Sequence, residues 1–180
     1  GAACILVDKD GDVVRNRMIG WQDLRNTEVT EEIKENITDD EHYAIEGACI
    51  GAFNTGVNVW VQKNEPELFA KTAKYLMVED FIIAKLTGKY ATCNGLMPSA
   101  LYYDIRSGKY DPAMLEALNI SENQLPELKN AGEIAGLCIE NDSLLVPGTP
   151  VAVAPIDHVC GNLGSGCGKE GMLSETTGCT

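Results

Sequence analysis

Residues 151–166 read VAVAPIDHVCGNLGSG, and the interpretation of the whole sequence depends on this stretch. The apolar run Val151–Ile156 predicts a strand that stops at an acidic residue, Asp157. In α/β proteins the ligand crevice lies at the carboxyl ends of the strands, where an acid can face a substrate. An Asp that follows a strand can equally cap the next helix, so two explanations of Asp157 stand at this point.

The glycines that follow the acid have an informative order. Gly161, Gly164 and Gly166 form G-x-x-G-x-G, whereas the dinucleotide-binding fingerprint is G-x-G-x-x-G directly after a strand. The order therefore argues against a Rossmann-type cofactor site. We expect these glycines to allow close packing against a neighbouring element instead.

The composition indicates one domain with a large acidic excess. The chain has 180 residues, of which 44% are hydrophobic, which is enough to bury a core. It carries 14 basic and 27 acidic residues, and the formal net charge of −13 repels nucleic acid and anionic membrane surfaces. We expect neither as a partner, although backbone amides and a metal ion can still hold the phosphates of a nucleotide.

The cysteines and histidines exclude other classes of site. Seven cysteines include no CxxC pair, and the only histidines are His42 and His158, so no metal site is expected within the chain. The cysteine spacing is typical of reduced thiols in the cytoplasm, and the lack of a low-pKa motif speaks against a redox enzyme. No apolar stretch approaches the ~20 residues of a membrane helix, so we expect a cytoplasmic protein.

The remaining pattern predicts strands near both ends with helices between them, as in a layered α/β or α+β protein. Asp10-Gly11 between apolar flanks predicts a tight turn. The segment after Asn64 repeats apolar residues at helical spacing as far as Leu76, which predicts one amphipathic helix. Strand-like runs occur at residues 3–7, 17–21, 134–139 and 151–156. Helix starts with capping residues occur at Thr38, Asn64, Asp111 and Ser121.

A series of short fragments, read in order along the chain, carries a family resemblance. The fragments are NEPE at 64–67, KLTG at 85–88, YDIRSGKYD at 103–111, LEALNI at 115–120, LPE at 125–127, GEIAG at 132–136, VPGTPV at 146–151, Asp157, and the stretch from EG at 170–171 to TG at 177–178. Together they resemble the FGGY family of carbohydrate kinases, which includes glycerol kinases and xylulokinases. The resemblance runs through nearly the whole chain.

The resemblance implies a fold and an activity. The fold is α/β, a partial ribonuclease H-like (actin-like ATPase) domain with a mixed sheet and helices. The family closes two domains on ATP, with Mg²⁺, and on a sugar or polyol, and it phosphorylates a hydroxyl. Residues 1–172 then correspond to the later part of the N-terminal domain, and 173–180 begin the segment that leads to the second domain. The chain alone is not expected to be a competent kinase.

The family's pattern also implies roles for individual residues. Asp157 aligns with the catalytic base, which takes the proton of the attacking hydroxyl. Trp21 matches an aromatic position that lines the sugar pocket, and Phe53 falls near a second one. The substrate-binding set is Trp21, Gln22, Asp23, Phe53, Asp157 and His158. The ATP phosphate-binding set is Thr176, Thr177 and Gly178.

Each of these assignments has a structural alternative. Trp21 and Phe53 could belong to the core, and Asp23 could form a surface ion pair with Arg25. His158 could be a structural histidine at a strand end. Residues 176–178 could form an ordinary β-turn. The loop at 92–95, Thr-Cys-Asn-Gly, departs from the Thr-Asp of many relatives, which weakens any inference about that loop.

A second class of function stays open. The protein could be a non-catalytic sugar-binding or regulatory protein that keeps the cleft of the kinase fold without the transfer. A homodimer is also left open by the sequence. The full-length sequence separates the first two hypotheses, because the kinase needs the upstream phosphate-binding segment and the second domain.

Overall fold

The computed structural model describes residues 3–20, 23–47, 55–97, 100, 102–140 and 145–175. Its strands, in chain order, are β1 (Ala3–Val7), β2 (Ile19–Gly20), β3 (Lys74–Met77), β4 (Ala91–Cys93), β5 (Tyr103–Asp104), β6 (Lys109–Tyr110), β7 (Glu127–Lys129), β8 (Ile134–Leu137) and β9 (Pro150–Ala152). Its helices are α1 (Thr27–Asn36), α2 (Asp39–Glu46), α3 (Thr55–Asn64), α4 (Pro66–Phe69), α5 (Val78–Thr87), α6 (Pro112–Ala117) and α7 (Asp157–Gly164), with a 3₁₀ helix at Glu122–Gln124.

The first sheet is antiparallel, in the order β2-β1-β3. The central strand β1 pairs with β3 over four residues, from Cys4 opposite Met77 to Val7 opposite Lys74. Both strands are almost entirely buried, because their apolar side chains pack into the core on both faces. The predicted run at 3–7 is therefore a strand, and the predicted turn follows it: Asp8 accepts hydrogen bonds from the backbone N–H groups of Asp10 and Asp12.

Three of the four predicted helix starts are confirmed. Thr38 and Glu41 form a reciprocal capping box at α2, and Asp111 accepts from two backbone N–H groups at α6. Ser121 and Gln124 make the same kind of box at the 3₁₀ helix. Each cap depends on residues within three positions, so the local sequence is sufficient to specify it.

The prediction of one amphipathic helix after Asn64 is wrong. Asn64 ends α3, Glu65 is the N-cap of the short α4, and the chain then extends as β3. Leu76, which we placed on the helix, pairs instead with Ile5 of β1. Pairing with a distant strand overrode the local helical spacing, as tertiary contacts commonly do.

The later half of the chain adds three two-stranded sheets. The pair β4-β7 is parallel, whereas β5-β6 and β8-β9 are antiparallel. Within the described residues the α/β class is confirmed, with strands distributed over four small sheets. The predicted strands at 134–139 and 151–156 are present as the shorter pair β8 and β9, and β9 leads to Asp157.

The joint between β3 and α5 contains a buried carboxyl group. Asp80 is 1% exposed, and its Oδ2 accepts a hydrogen bond of 2.9 Å from the N–H of Met77, the N-cap of α5. Its Oδ1 has no hydrogen-bond partner, although the Thr92 hydroxyl lies close enough to favour the charged form. Burial outweighs these contacts and raises the pKa of Asp80 from 3.8 to about 7.

This raised pKa predicts a pH-dependent stability. A raised folded-state pKa contributes stability that is fully present below about 4 and is lost as the pH rises to about 7. In Asp80→Asn the amide oxygen can still accept from Met77, and no charge is buried. We expect the unfolding free energy of the wild type, relative to the variant, to fall by up to about 4 kcal/mol between pH 4 and pH 7 in denaturant titrations.

Asp104→Asn is the matched control, because a hydrogen bond from the backbone N–H of Arg106 lowers the pKa of the half-buried Asp104. The stabilising contribution of Asp104 is present above the ordinary carboxyl pKa and is lost as the pH falls. The unfolding free energy of the wild type, relative to Asp104→Asn, should therefore change with pH in the opposite direction. A wild-type curve that stays parallel to that of Asp80→Asn across this range would contradict the assignment.

Candidate functional site

Asp157 is the first residue of α7, immediately after the turn that follows β9. Its side chain is exposed, and its Oδ1 accepts a hydrogen bond of 3.0 Å from the backbone N–H of His158. The N-cap is Ile156, so Asp157 is in the first turn rather than at the capping position. An acidic side chain is favourable there because it faces the positive end of the helix dipole. Geometry thus leaves the carboxylate open to a ligand.

The segment before Asp157 is fixed by hydrogen bonds to residues that precede it and to a residue of α7 that follows it. Val153 is 2% exposed, its N–H donates to the carbonyl of Glu133, and its carbonyl accepts from the N–H of Gly132. The carbonyl of Pro155 accepts from Sγ of Cys160, one turn into α7. Ile156 packs against the main core. The backbone at 153–156 is therefore anchored, while the carboxylate that follows is solvent-exposed.

The expected close packing of the glycines is wrong for the described part of the chain. A Cβ at Gly161 or Gly164 would meet nothing within 4 Å, and the same holds for Gly166, which has a φ of +90°. Val159 and Leu163 on the same helix are also exposed, at 48% and 68%. α7 therefore presents an open apolar surface beside Asp157.

Asp23 takes part in the ion pair that the sequence left open. Its Oδ1 accepts from Nε of Arg25 at 2.8 Å, and its Oδ2 lies 2.7 Å from Nη2. Hydrogen bonding from Arg25 lowers the pKa of Asp23. The guanidinium also lies 4.8 Å from the ring centroid of Trp60 on α3. The pair fixes the backbone just after Trp21 and Gln22, and the predicted contact of Asp23 with substrate stays a prediction.

Sequence reasoning missed Trp60 and Asp80. Trp60 is half-buried and packs against the core, and its contact with Arg25 joins α3 to the segment before α1. No local spacing signals this contact, because the two residues are brought together only by the fold. Asp80 lies three residues after Met77, which is the spacing of a capping box. The sequence did not reveal this box because its N-cap residue, Met77, is apolar.

Six residues of the predicted site lie outside the described residues. They are Trp21, Gln22, Phe53, Thr176, Thr177 and Gly178. Of the predicted set, the structure describes Asp23, Asp157 and His158. It places Asp157 and His158 together at the start of α7, and Asp23 before α1.

The described residues contain no group of three His, Cys, Asp or Glu side chains that could hold a metal ion. Within the same ranges no helix is both long and apolar enough to cross a membrane. Burial raises the pKa of the Cys4 and Cys93 thiols, so these two thiols are poor nucleophiles.

Comparison with known proteins identifies the family. The profile of the FGGY family of carbohydrate kinases, N-terminal domain, matches residues 1–164. L-fuculokinase from Escherichia coli (strain K12) is 30% identical over 152 residues, which are 84% of this chain and 32% of that protein. Xylulose kinase from Bacillus subtilis (strain 168) is 27% identical over 165 residues, 90% of this chain and 33% of that protein.

The fold agrees with this family. The crystal structure of xylulose kinase from Rhodospirillum rubrum superposes with a TM-score of 0.88 at 22% identity, covering 94% of this chain and 35% of that one. The structure is thus of the actin-like, ribonuclease H-like class that the sequence predicted. The chain belongs to the FGGY family of carbohydrate kinases, and it spans about a third of the length of the relatives it matches.

The ion pair at Asp23 makes a testable prediction. In Arg25→Gln the main hydrogen-bond donor to Asp23 is lost, so the midpoint of the Asp23 carboxyl titration should rise toward 3.8 in carbon-13 NMR spectra. Arg15→Gln is the control, because Arg15 acts on Asp23 only at longer range and pairs with Glu65. An equal rise in both variants would show that general charge, rather than the pair, sets this pKa.

Proposed function

We propose that this chain serves in an ATP-dependent kinase that phosphorylates a hydroxyl group of a sugar or polyol. The observation that supports the proposal most strongly is the exposed carboxylate of Asp157 on an anchored strand-to-helix turn, in a chain of the carbohydrate kinase family. Residues 1–172 form the later part of the N-terminal domain, and 173–180 lead toward a second domain.

In this proposal Asp157 is the general base. Phosphoryl transfer needs little covalent chemistry from the protein, so one carboxylate in line with the attacking hydroxyl is sufficient to remove its proton. The carboxylate uses one oxygen for the N–H of His158 and is otherwise open to the solvent side of α7. The anchored backbone at Val153 and Pro155 keeps the direction of the Asp157 carboxylate constant while substrates bind and products leave.

ATP with Mg²⁺ supplies the phosphoryl group and neutralises its charge. The backbone and hydroxyl groups of Thr176, Thr177 and Gly178 are the proposed phosphate contacts.

The proposed sugar side combines aromatic and polar residues. The ring faces of Trp21 and Phe53 suit the C–H face of a sugar, and Gln22, Asp23 and His158 supply hydrogen bonds to hydroxyls. The Asp23–Arg25–Trp60 contacts support this arrangement, because they fix the segment that directly follows Trp21 and Gln22.

Asp157→Asn in the full-length protein tests the base. We expect turnover to fall by roughly 10²–10⁴-fold, because the amide keeps the shape of the side chain but cannot accept the proton. Sugar affinity should change much less. Steady-state release of ADP is measured with the pentulose, hexulose or polyol that gives the highest wild-type rate.

The matched control is Asp111→Asn, the same substitution at a helix start where the Asp is a cap. Asn caps equally well, so turnover should stay near wild type. Near-wild-type turnover in Asp157→Asn would refute the base. Sugar binding by calorimetry without any wild-type turnover would favour the non-catalytic sugar-binding protein instead.

The aromatic assignment predicts a split between the two substrates. Trp21→Ala should raise KM for the sugar several-fold and leave KM for ATP nearly unchanged, because a ring face contributes to sugar binding and not to phosphate binding. Phe69→Ala is the control: it removes an aromatic ring that packs against Tyr75 and the core, and it should lower Tm without separating the two KM values. A lowered Tm and equal losses for both substrates in Trp21→Ala would mark Trp21 as a core residue.

A further inference from the structure

The loop after β4 meets the turn that carries Asp157. A Cβ at Gly95 would lie 2.8 Å from Cβ of Pro155 and 3.7 Å from its Cα. Two carbon atoms are at optimal separation at about 3.5–4.0 Å, so 2.8 Å is a collision. Only glycine allows this approach of the two backbones.

Neither side of the contact can easily move away. The N–H of Asn94 donates to the carbonyl of Lys129 at 2.8 Å, and its side chain donates to Oδ1 of Asn130 at 2.9 Å. Cys93 and Leu96, on either side of Asn94-Gly95, are 1% and 3% exposed. The loop is therefore fixed to β7 and to the core.

Pro155 is equally constrained. Its Cβ belongs to a ring that is closed onto the backbone, so the atom cannot rotate out of the way. The backbone at Val153 is bonded to both Gly132 and Glu133, which prevents a shift toward β9. A displacement of Pro155 would therefore also move Ile156, the N-cap of α7, and Asp157, its first residue.

We propose that Gly95 is a positioning residue for Asp157: by leaving space for Pro155, it sets the place and direction of the carboxylate that starts α7. The proposal rests on the proposed function, because the carboxylate must meet a substrate hydroxyl for its position to affect turnover. Gly95 itself touches no reacting group in this account and acts only through Pro155.

Gly95→Ala in the full-length enzyme is the first test. A misplacement of about 1 Å at a reacting group can cost on the order of 10²-fold, so we expect kcat to fall about 10- to 100-fold. Both KM values should stay close to those of the wild type. The matched control is Gly136→Ala, whose Cβ would lie 2.9 Å from Cβ of Thr87 on α5. It introduces a similar collision away from Pro155 and should lower Tm without lowering kcat.

Removal of the opposing atom tests the route through Pro155. Pro155→Gly deletes the Cβ that the new methyl group would strike, so Gly95→Ala should cost much less kcat in that background than in the wild type. This rescue is a result that general destabilisation does not produce. Equal losses in both backgrounds would overturn the proposal, as would a kcat loss in Gly136→Ala that matches that of Gly95→Ala.

The wild type, the variants Gly95→Ala and Pro155→Gly, and the double variant also form a double-mutant cycle in Tm. This second cycle requires no enzymatic activity. Coupling in Tm together with coupling in kcat supports the proposal. Coupling in Tm with uncoupled kcat shows a structural contact that does not position the base, and it overturns the proposal while the proposed function stands. A wild-type enzyme that transfers no phosphoryl group overturns both, and the Tm cycle then still reports whether the contact forms.

Discussion

The antiparallel pairing of β1 with β3 is the constraint on which the rest of the described structure depends. Strand side chains alternate between the two faces, so the register from Cys4–Met77 to Val7–Lys74 decides which groups enter the core. That register places Met77 at the end of β3, where its N–H donates a hydrogen bond to the Asp80 carboxyl group and α5 begins. A slip by one residue would turn Tyr75 and Met77 to the opposite face of the sheet, where they would lose their present core contacts, and would displace this start of the helix.

Helix α5 connects this sheet to the strands that lead to the candidate site. α5 packs against β1, β3, β4, β8 and β9. The strand β4 leads to Gly95, which contacts Pro155, and Pro155 precedes the helix that begins with Asp157. A polar group exposed to solvent is thus held by a series of contacts among buried and half-buried residues. This is the arrangement that a catalytic group requires, because a rigid support fixes its position while it stays accessible.

The sequence predicted those features that depend on neighbouring residues. The turn at Asp8, the caps at Thr38, Asp111 and Ser121, and the strand before Asp157 each follow from a few adjacent positions. The family resemblance, now shown by the match over residues 1–164, supplied the fold class. The helix predicted after Asn64 failed because Leu76 pairs with a strand far away in the chain. The Arg25–Trp60, Asp80–Thr92 and Gly95–Pro155 contacts join distant segments, and no spacing in the sequence signals them.

In the proposed mechanism the Asp157 carboxylate meets the hydroxyl that receives the phosphoryl group. The most direct measurement is a crystal structure of the full-length protein with the preferred sugar and a non-hydrolysable ATP analogue. We expect a distance of about 2.6–3.2 Å between a carboxylate oxygen of Asp157 and the sugar oxygen that faces the terminal phosphate. A sugar bound with that oxygen beyond hydrogen-bond reach of Asp157, or contacted by another base, would contradict it.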